Sequence, residues 1–267
     1  MAAQPGVDLD FMQRLFSLQG RTALVTGGTS GIGKMIATGL VSAGARTYVN
    51  SRKPDACDKV ARELSSHGDC RPLAGDVGTK EGCTKLADSF RAQESKLHIL
   101  VNAAGATWGA PIAEYPDSGW DKVMGINVRG VFNLSVALLK ELQAAGTADE
   151  PSRIINIGSV HGFVAPPWES YAYSASKAAV HHLTRHLAKR LGPDHITVNA
   201  IAPGPFPSRM MASTIAEQGD QLVKETATGR LGREDDMAGV AIYLASRAAA
   251  NVTGAILPVC GGYGTLR

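Results

Sequence analysis

Tyr173 and Lys177 stand four residues apart, a spacing that puts both on one face of a helix. A tyrosine of pKa ~10 is a poor base at neutral pH. A neighbouring ammonium favours the phenolate and lowers that value. Such a tyrosine can give its proton to a forming alkoxide in a reduction. Ser159 follows an apolar strand pattern and can hydrogen-bond the same substrate oxygen, stabilising its developing charge. Taken alone, Tyr-x-x-x-Lys favours an ordinary helix with a packed tyrosine and a snorkelling lysine; Ser159, Asn127 and the glycine loop turn the balance.

A second constellation lies near the N-terminus. An apolar run leads into Thr26-Gly27-Gly28-Thr29-Ser30-Gly31-Ile32-Gly33, and a helical pattern follows. The glycines at 27, 31 and 33 allow a tight turn and let backbone N–H groups approach a pyrophosphate at a helix N-terminus. Gly33 would let the helix pack close to the sheet. The next strand ends at Ser51-Arg52-Lys53. An NAD site usually has a carboxylate there for the ribose hydroxyls. Two cations in its place suit a 2′-phosphate, through charge-assisted bonds of roughly 1.5–3 kcal/mol each. Asp76, after the third strand pattern, suits either the adenine amino group or a turn cap.

The elements that must position these groups alternate along the chain. Short β-branched runs fall at 22–25, 47–50, 70–73, 98–101, 153–157, 197–201 and 255–259, with helical patterns starting near Gly31, Pro54, Thr79, Asp117, Tyr171 and Glu234. Several runs are apolar on both faces, as buried parallel strands are. The expectation is an α/β fold: a doubly wound, mainly parallel seven-stranded sheet with helices on both faces, in one domain. Residues 1–17 form an N-terminal extension, and 18–267 the catalytic domain. Residues 205–230 break the rhythm with prolines and paired methionines, which suits a substrate lid.

Composition narrows the function classes. The 267 residues are 44% hydrophobic and 19% charged, with a net charge of +3. That balance gives no support to nucleic-acid or membrane binding. Cys57, Cys70, Cys83 and Cys260 have no metal-ligand spacing, so no metal site is expected. The N-terminal stretch lacks a signal-peptide pattern, and a cytoplasmic location is expected.

Taken in order, the motifs resemble those of the short-chain dehydrogenases/reductases. The loop from Thr26 to Gly33 is similar to that family's TGxxxGxG, and Asn102-Ala103-Ala104-Gly105 to its NNAG motif, with Ala103 for the second Asn. Asn127, Ser159, Tyr173 and Lys177 fall at its catalytic tetrad. Pro203-Gly204 and Ser208 match the segment beside the nicotinamide. The resemblance implies a Rossmann-type sheet and an NADP(H)-dependent oxidoreductase. It gives Lys177 a hold on the nicotinamide ribose and Asn127 a water-linked proton path to Lys177. It adds Val77 and Phe206 to the cofactor contacts. It also implies a homotetramer, with the helices from Asp117 and Tyr171 at the interface.

Trp108, His161, Phe163, Trp168 and Met210 are the candidate substrate-pocket residues. For His161 and His182 a hydrogen-bonded or surface role is the first expectation. Three stretches, Thr107-Trp108-Gly109, 115–120 and 201–210, look closest to bacterial 3-oxoacyl-thioester reductases, including the type linked to rhamnolipid synthesis. That implies a carbonyl substrate carried on acyl carrier protein or CoA. Lys189 and Arg190 have the basic character for carrier docking, though Asp194 follows. The alternatives are a dehydrogenase of a sugar acid, polyol or other secondary alcohol, and an NADP(H)-sensing protein without turnover. A sensor needs the glycine loop but has no use for all four groups of the tetrad.

Overall fold

The computed structural model describes residue 6 and residues 8–266. Of the N-terminal extension, residues 1–5 and 7 lie outside that range. Seven strands form one sheet: β1 (Thr22–Thr26), β2 (Arg46–Ser51), β3 (Cys70–Ala74), β4 (Ile99–Asn102), β5 (Ser152–Ile157), β6 (Ile196–Pro203) and β7 (Ile256–Val259). Their order is β3-β2-β1-β4-β5-β6-β7, and every pairing is parallel. The expected sheet is therefore present and wholly parallel.

Alternate residues of each strand feed two separate cores, because side chains point to opposite faces in turn. Ala23, Val25, Ile99, Val101 and Ile155 pack on one side, under α2 (Gly31–Ser42), α3 (Pro54–Leu64) and α10 (Glu234–Ala245). Leu24, Tyr48, Leu100 and Ile154 pack on the other, under α4 (Lys80–Arg91), α6 (Val131–Ala137), α7 (Leu139–Ala145) and α8 (Tyr171–Leu191). The first helix, α1 (Leu9–Phe16), buries none of its residues and leans on the turn Arg247–Ala249.

The structure adds two helical features to the expected pattern. The pattern starting at Asp117 is interrupted after α5 (Asp117–Met124) by a π-helical turn, Gly125–Gly130, which leads into α6. Such wide turns often sit at functional sites, and this one carries Asn127. Within 205–230 the chain forms a 3-10 turn, Arg209–Met211, and then α9 (Ala212–Lys224), which is kinked at Gln218. Arg230 closes the segment with a two-pronged bond to Asp236 of α10, at 2.6 and 2.9 Å.

Candidate active site

In an open parallel sheet ligands bind beyond the strand C-termini, where neighbouring connections leave on opposite sides. Here that point lies between β1 and β4. A cavity of about 950 Å³ opens there, lined by Gly27, Ser30, Gly31, Ile32, Gly33, Ala103, Ala104, Gly105, Ser159, Tyr173 and Lys177 among others.

The glycine loop is tightly built. Gly27 has φ +64° and lies so close to the next loop that a Cβ on it would sit 2.9 Å from the Ala104 backbone. A Cβ on Gly33 would collide with the Gly27 carbonyl oxygen. Thr26 staples the two loops together: its Oγ1 accepts the N–H groups of Ala103 and Ala104 at 3.0 and 3.1 Å. No side chain caps the N-terminus of α2, so its first-turn N–H groups remain available to an anion. Arg52 and Lys53 are exposed, and among the described residues neither has an ion-pair partner. A glycine cradle, an uncapped helix end and two free cations fit a phosphorylated dinucleotide.

The other wall carries Ser159, Tyr173 and Lys177. Ser159 begins the turn after β5, and its Oγ accepts the His161 N–H at 3.2 Å. Tyr173 and Lys177 lie one turn apart on α8, with the ammonium 5.5 Å from the phenol ring centroid. Lys177 is buried and donates to the Ile157 carbonyl at 2.7 Å. Desolvation brings its pKa down to about 8. Burial pushes the Tyr173 phenol up, and a hydrogen bond with Ser159 pulls it partly back. This differs from the expectation that Lys177 lowers it: burial of the phenol decides the direction. Tyr173 is therefore protonated at neutral pH.

Asn127 points into the same corner. It accepts the Ala106 N–H at 2.8 Å and donates to the Ala106 carbonyl at 3.0 Å and to Ser176 Oγ at 2.9 Å. These bonds tie the π turn to α8 and to the chain after β4.

Other sequence-predicted residues divide into three groups. Pro203, Gly204, Phe206, Ser208, His161, Trp168 and Met210 line the cavity. Thr29, Ser51, Arg52, Lys53, Asp76 and Val77 lie away from its wall: the first near α2, the rest at the β2 and β3 ends. Asp76 Oδ1 accepts the Gly78 N–H at 2.9 Å, the turn-cap role, and Val77 packs into the core. Asn102, Trp108 and Phe163 are corrections. Asn102 is a buried strut, donating to Asn156 Oδ1 at 2.9 Å, while Asn156 donates to Thr184 Oγ1 at 3.0 Å. Trp108 turns away from the cavity, packs over Gly119 and holds Lys122 at 5.2 Å from its ring. Phe163 lies on the His181 ring, with centroids 4.5 Å apart.

His161 also departs from expectation. It stands edge-on to Trp168, its Nε2 is buried without a hydrogen-bond partner, and burial lowers its pKa to about 4. His182 is exposed. Thr26, Ser176 and the Ile157 carbonyl are the supports that motif reasoning did not single out. The first two sit inside quoted motifs. The third is a backbone group, which no residue type announces.

A parallel sheet with this order, a glycine cradle at its switch point and a Ser–Tyr–Lys cluster on the facing wall defines a nucleotide-dependent oxidoreductase site. A family model described as Enoyl-(Acyl carrier protein) reductase matches residues 27–264. The rhamnolipids biosynthesis 3-oxoacyl-[acyl-carrier-protein] reductase of Pseudomonas aeruginosa is 48% identical over 94% of this chain and 99% of its own. The solved Pseudomonas aeruginosa RhlG/NADP active-site complex superposes with a TM-score of 0.90, at 47% identity over 94% of this chain and 99% of that one. A gluconate 5-dehydrogenase from Burkholderia cenocepacia, in complex with NADP and tartrate, gives 0.88 at 34% identity over 94% and 98%. The chain belongs to the short-chain dehydrogenase/reductase family of oxidoreductases.

Proposed function

We propose that the protein uses NADPH to reduce the 3-keto group of a 3-oxoacyl thioester to a secondary alcohol. One observation carries this reading: Ser159, Tyr173 and Lys177 share a large cavity with the glycine cradle. The similarity to a 3-oxoacyl reductase over nearly the whole chain supports the substrate class. NADP in the similar structures, with Arg52 and Lys53 unpaired here, supports the cofactor.

Bound NADPH supplies the hydride. The chain's own groups handle the oxygen. Ser159 Oγ donates to the substrate carbonyl and stabilises the charge developing on it. Tyr173, protonated at neutral pH, gives its proton to the alkoxide as it forms. Lys177, with its pKa brought down to about 8, still holds a transferable proton at neutral pH; it holds the ribose and re-protonates the phenol through water supported by Asn127. The loop of Ala103, Ala104 and Gly105 frames the adenosine side, and Asp76, beyond the cavity wall, is the candidate for the adenine amino group. Trp168, Met210 and Leu222 give the acyl side an apolar wall. Residues 205–230 act as a lid. The kink at Gln218 gives that segment a bending point, and its amide hydrogen exchange should slow when substrate and NADPH are bound. Unchanged exchange would remove the lid from the scheme.

The substrate arrives on acyl carrier protein or CoA. Arg190 is already bonded to Asp194 at 3.2 Å, which leaves Lys189 as the freer cation of that pair. Trp120, Phe132 and Val136 expose apolar surface around α5 and α6. That supports a homotetramer, measurable by light scattering. The substrate reading is tested by following NADPH oxidation with 3-oxoacyl-CoA esters of increasing length, against NADP⁺ reduction with gluconate and polyols. Turnover confined to the sugar acids would transfer the assignment to the gluconate-dehydrogenase type of relative. No turnover with either set would leave an NADP(H)-binding protein.

A further inference from the structure

A second cavity, of about 180 Å³, lies at the opposite end of the strands from the active site, at the N-terminal ends of β1, β4 and β5. Helix α1 contributes to one wall and the turn Arg247–Ala249 to another. Among the described residues, four arginines line it, Arg14, Arg21, Arg153 and Arg247, against one carboxylate residue, Glu150. That carboxylate is already shared, with Oε2 at 2.8 Å from Arg21 and Oε1 at 2.9 Å from Arg247.

Arg153 is the unusual member. It is only 2% exposed. Two of its nitrogens donate to the carbonyls of Pro151 and Ser246, and its Nε is buried with no partner among the described residues. Among the described residues it makes no ion pair, and Glu150 acts on it only from a distance. A buried charge without a counter-charge is costly. Arginine retains its charge under that cost where lysine would lose it. His98 adds a neutral donor. Its Nδ1 accepts the Thr22 N–H at 3.0 Å, so the other ring nitrogen carries the proton.

A purely structural role for Arg153 accounts for the two carbonyl bonds. It leaves the Nε–H and the surrounding excess of positive charge unexplained. We infer that this cavity binds a small oxyanion of the phosphate type, free or as the end of a small phosphomonoester, anchored on Arg153 and closed over by Arg14 of α1. The volume suits such a group, being equal to a few water molecules' share of liquid, about 30 Å³ each. It is too small for a nucleotide. Guanidinium forks match tetrahedral oxyanions in geometry as well as charge. Occupation would tie α1 to the sheet and stabilise the folded state by linkage.

The test uses the full chain saturated with NADP⁺, so that the Arg52 side is filled. Inorganic phosphate, and separately glycerol 3-phosphate, are titrated at pH 7.5 against sodium chloride of matched ionic strength, following melting temperature and heat of binding. The expected result is a saturable rise in melting temperature with one site per chain. It should weaken about tenfold in Arg14→Gln, the loss of one charge-assisted contact, and vanish in Arg153→Met. Arg14 is exposed, so that variant keeps the test open if Arg153→Met fails to fold. Tighter binding of inorganic phosphate assigns the free ion, and tighter binding of glycerol 3-phosphate assigns the ester. A response no greater than that to chloride, or one equal in the wild type and Arg14→Gln, overturns the site.

Discussion

Lys177 and Arg153 are both buried cations against β5, one at each end. Lys177 donates to the carbonyl of Ile157, the last residue of the strand. Arg153 is the strand's second residue and donates to Pro151, just before it. Desolvation lowers both, Lys177 to about 8 and Arg153 to about 10. The outcomes differ because the side chains differ. An ammonium near pKa 8 can pass a proton at working pH. A guanidinium near 10 remains a fixed charge. Burial of a cation therefore does not by itself mark a proton-handling site. The residue type and what stands beside it decide, and only Lys177 has a phenol within reach.

The catalytic end of this comparison breaks most sharply at the phenol. Tyr173→Phe should lower kcat by about 100- to 10,000-fold, the usual worth of a positioned general acid. NADPH affinity, followed by fluorescence titration, should stay close to the wild type. Near-normal kcat would take Tyr173 out of the mechanism. The next effect tests a third cation, exposed where the other two are buried. Arg52→Ala should weaken NADPH by about 10- to 150-fold and leave NADH little changed. Equal weakening of both cofactors would deny Arg52 a phosphate contact. Arg52→Asp should go further and favour NADH, because a carboxylate repels the phosphate and accepts from free ribose hydroxyls.

The two ends of β5 were not equally legible in the sequence. The catalytic end announces itself through short-range patterns. Tyr173 and Lys177 share a helix turn, and the glycines cluster in one loop, so local spacing carries their geometry. The strands were legible for the same reason, each being a short apolar run between turn residues. The arginine cavity gives no such signal. Arg14, Arg21, Arg153 and Arg247 are scattered over the chain and meet only through the sheet order. Trp108 and Phe163 failed in the opposite way. Both are aromatic and next to motifs, yet Trp108 finds a partner in Gly119 and Phe163 in His181, both distant in sequence. The π turn at Asn127 was illegible because its residues carry an ordinary helical pattern on either side.

The pH profile separates the two buried cations in function. If the Lys177 ammonium re-protonates the phenol, kcat for reduction should fall above pH 8, approaching tenfold per pH unit. Arg153, with its pKa brought to about 10, stays protonated to about pH 9, so it cannot produce a limb that starts at pH 8. A reduction rate flat from pH 7 to 9.5 would mean that Lys177 serves as a ribose clamp alone.

The smallest effect concerns stability, and its sign follows from linkage. Lys177 is brought from 10.5 in the unfolded chain down to about 8 in the native state. Below pH 8 both states hold the proton, and the native state bears the full cost of a buried ammonium, on the order of 3 kcal/mol. Between pH 8 and 10.5 the unfolded state binds more protons, so native stability rises with pH across that window. Lys177→Met removes the charge and forfeits the bond to Ile157, worth about 1.5–3 kcal/mol for a charged donor. The variant should therefore be inactive yet no less stable at pH 7, melting at or up to a few degrees above the wild type. Any advantage should disappear, and then reverse, as pH climbs from 8 towards 10.5. Arg153→Met, if it folds, should keep a constant offset from pH 7 to about 9, because its guanidinium, with a pKa of about 10, holds its proton over that range. Parallel curves for wild type and Lys177→Met from pH 7 to 10 would mean that the native ammonium is solvated, and the contrast between the two ends of β5 would fail at its root.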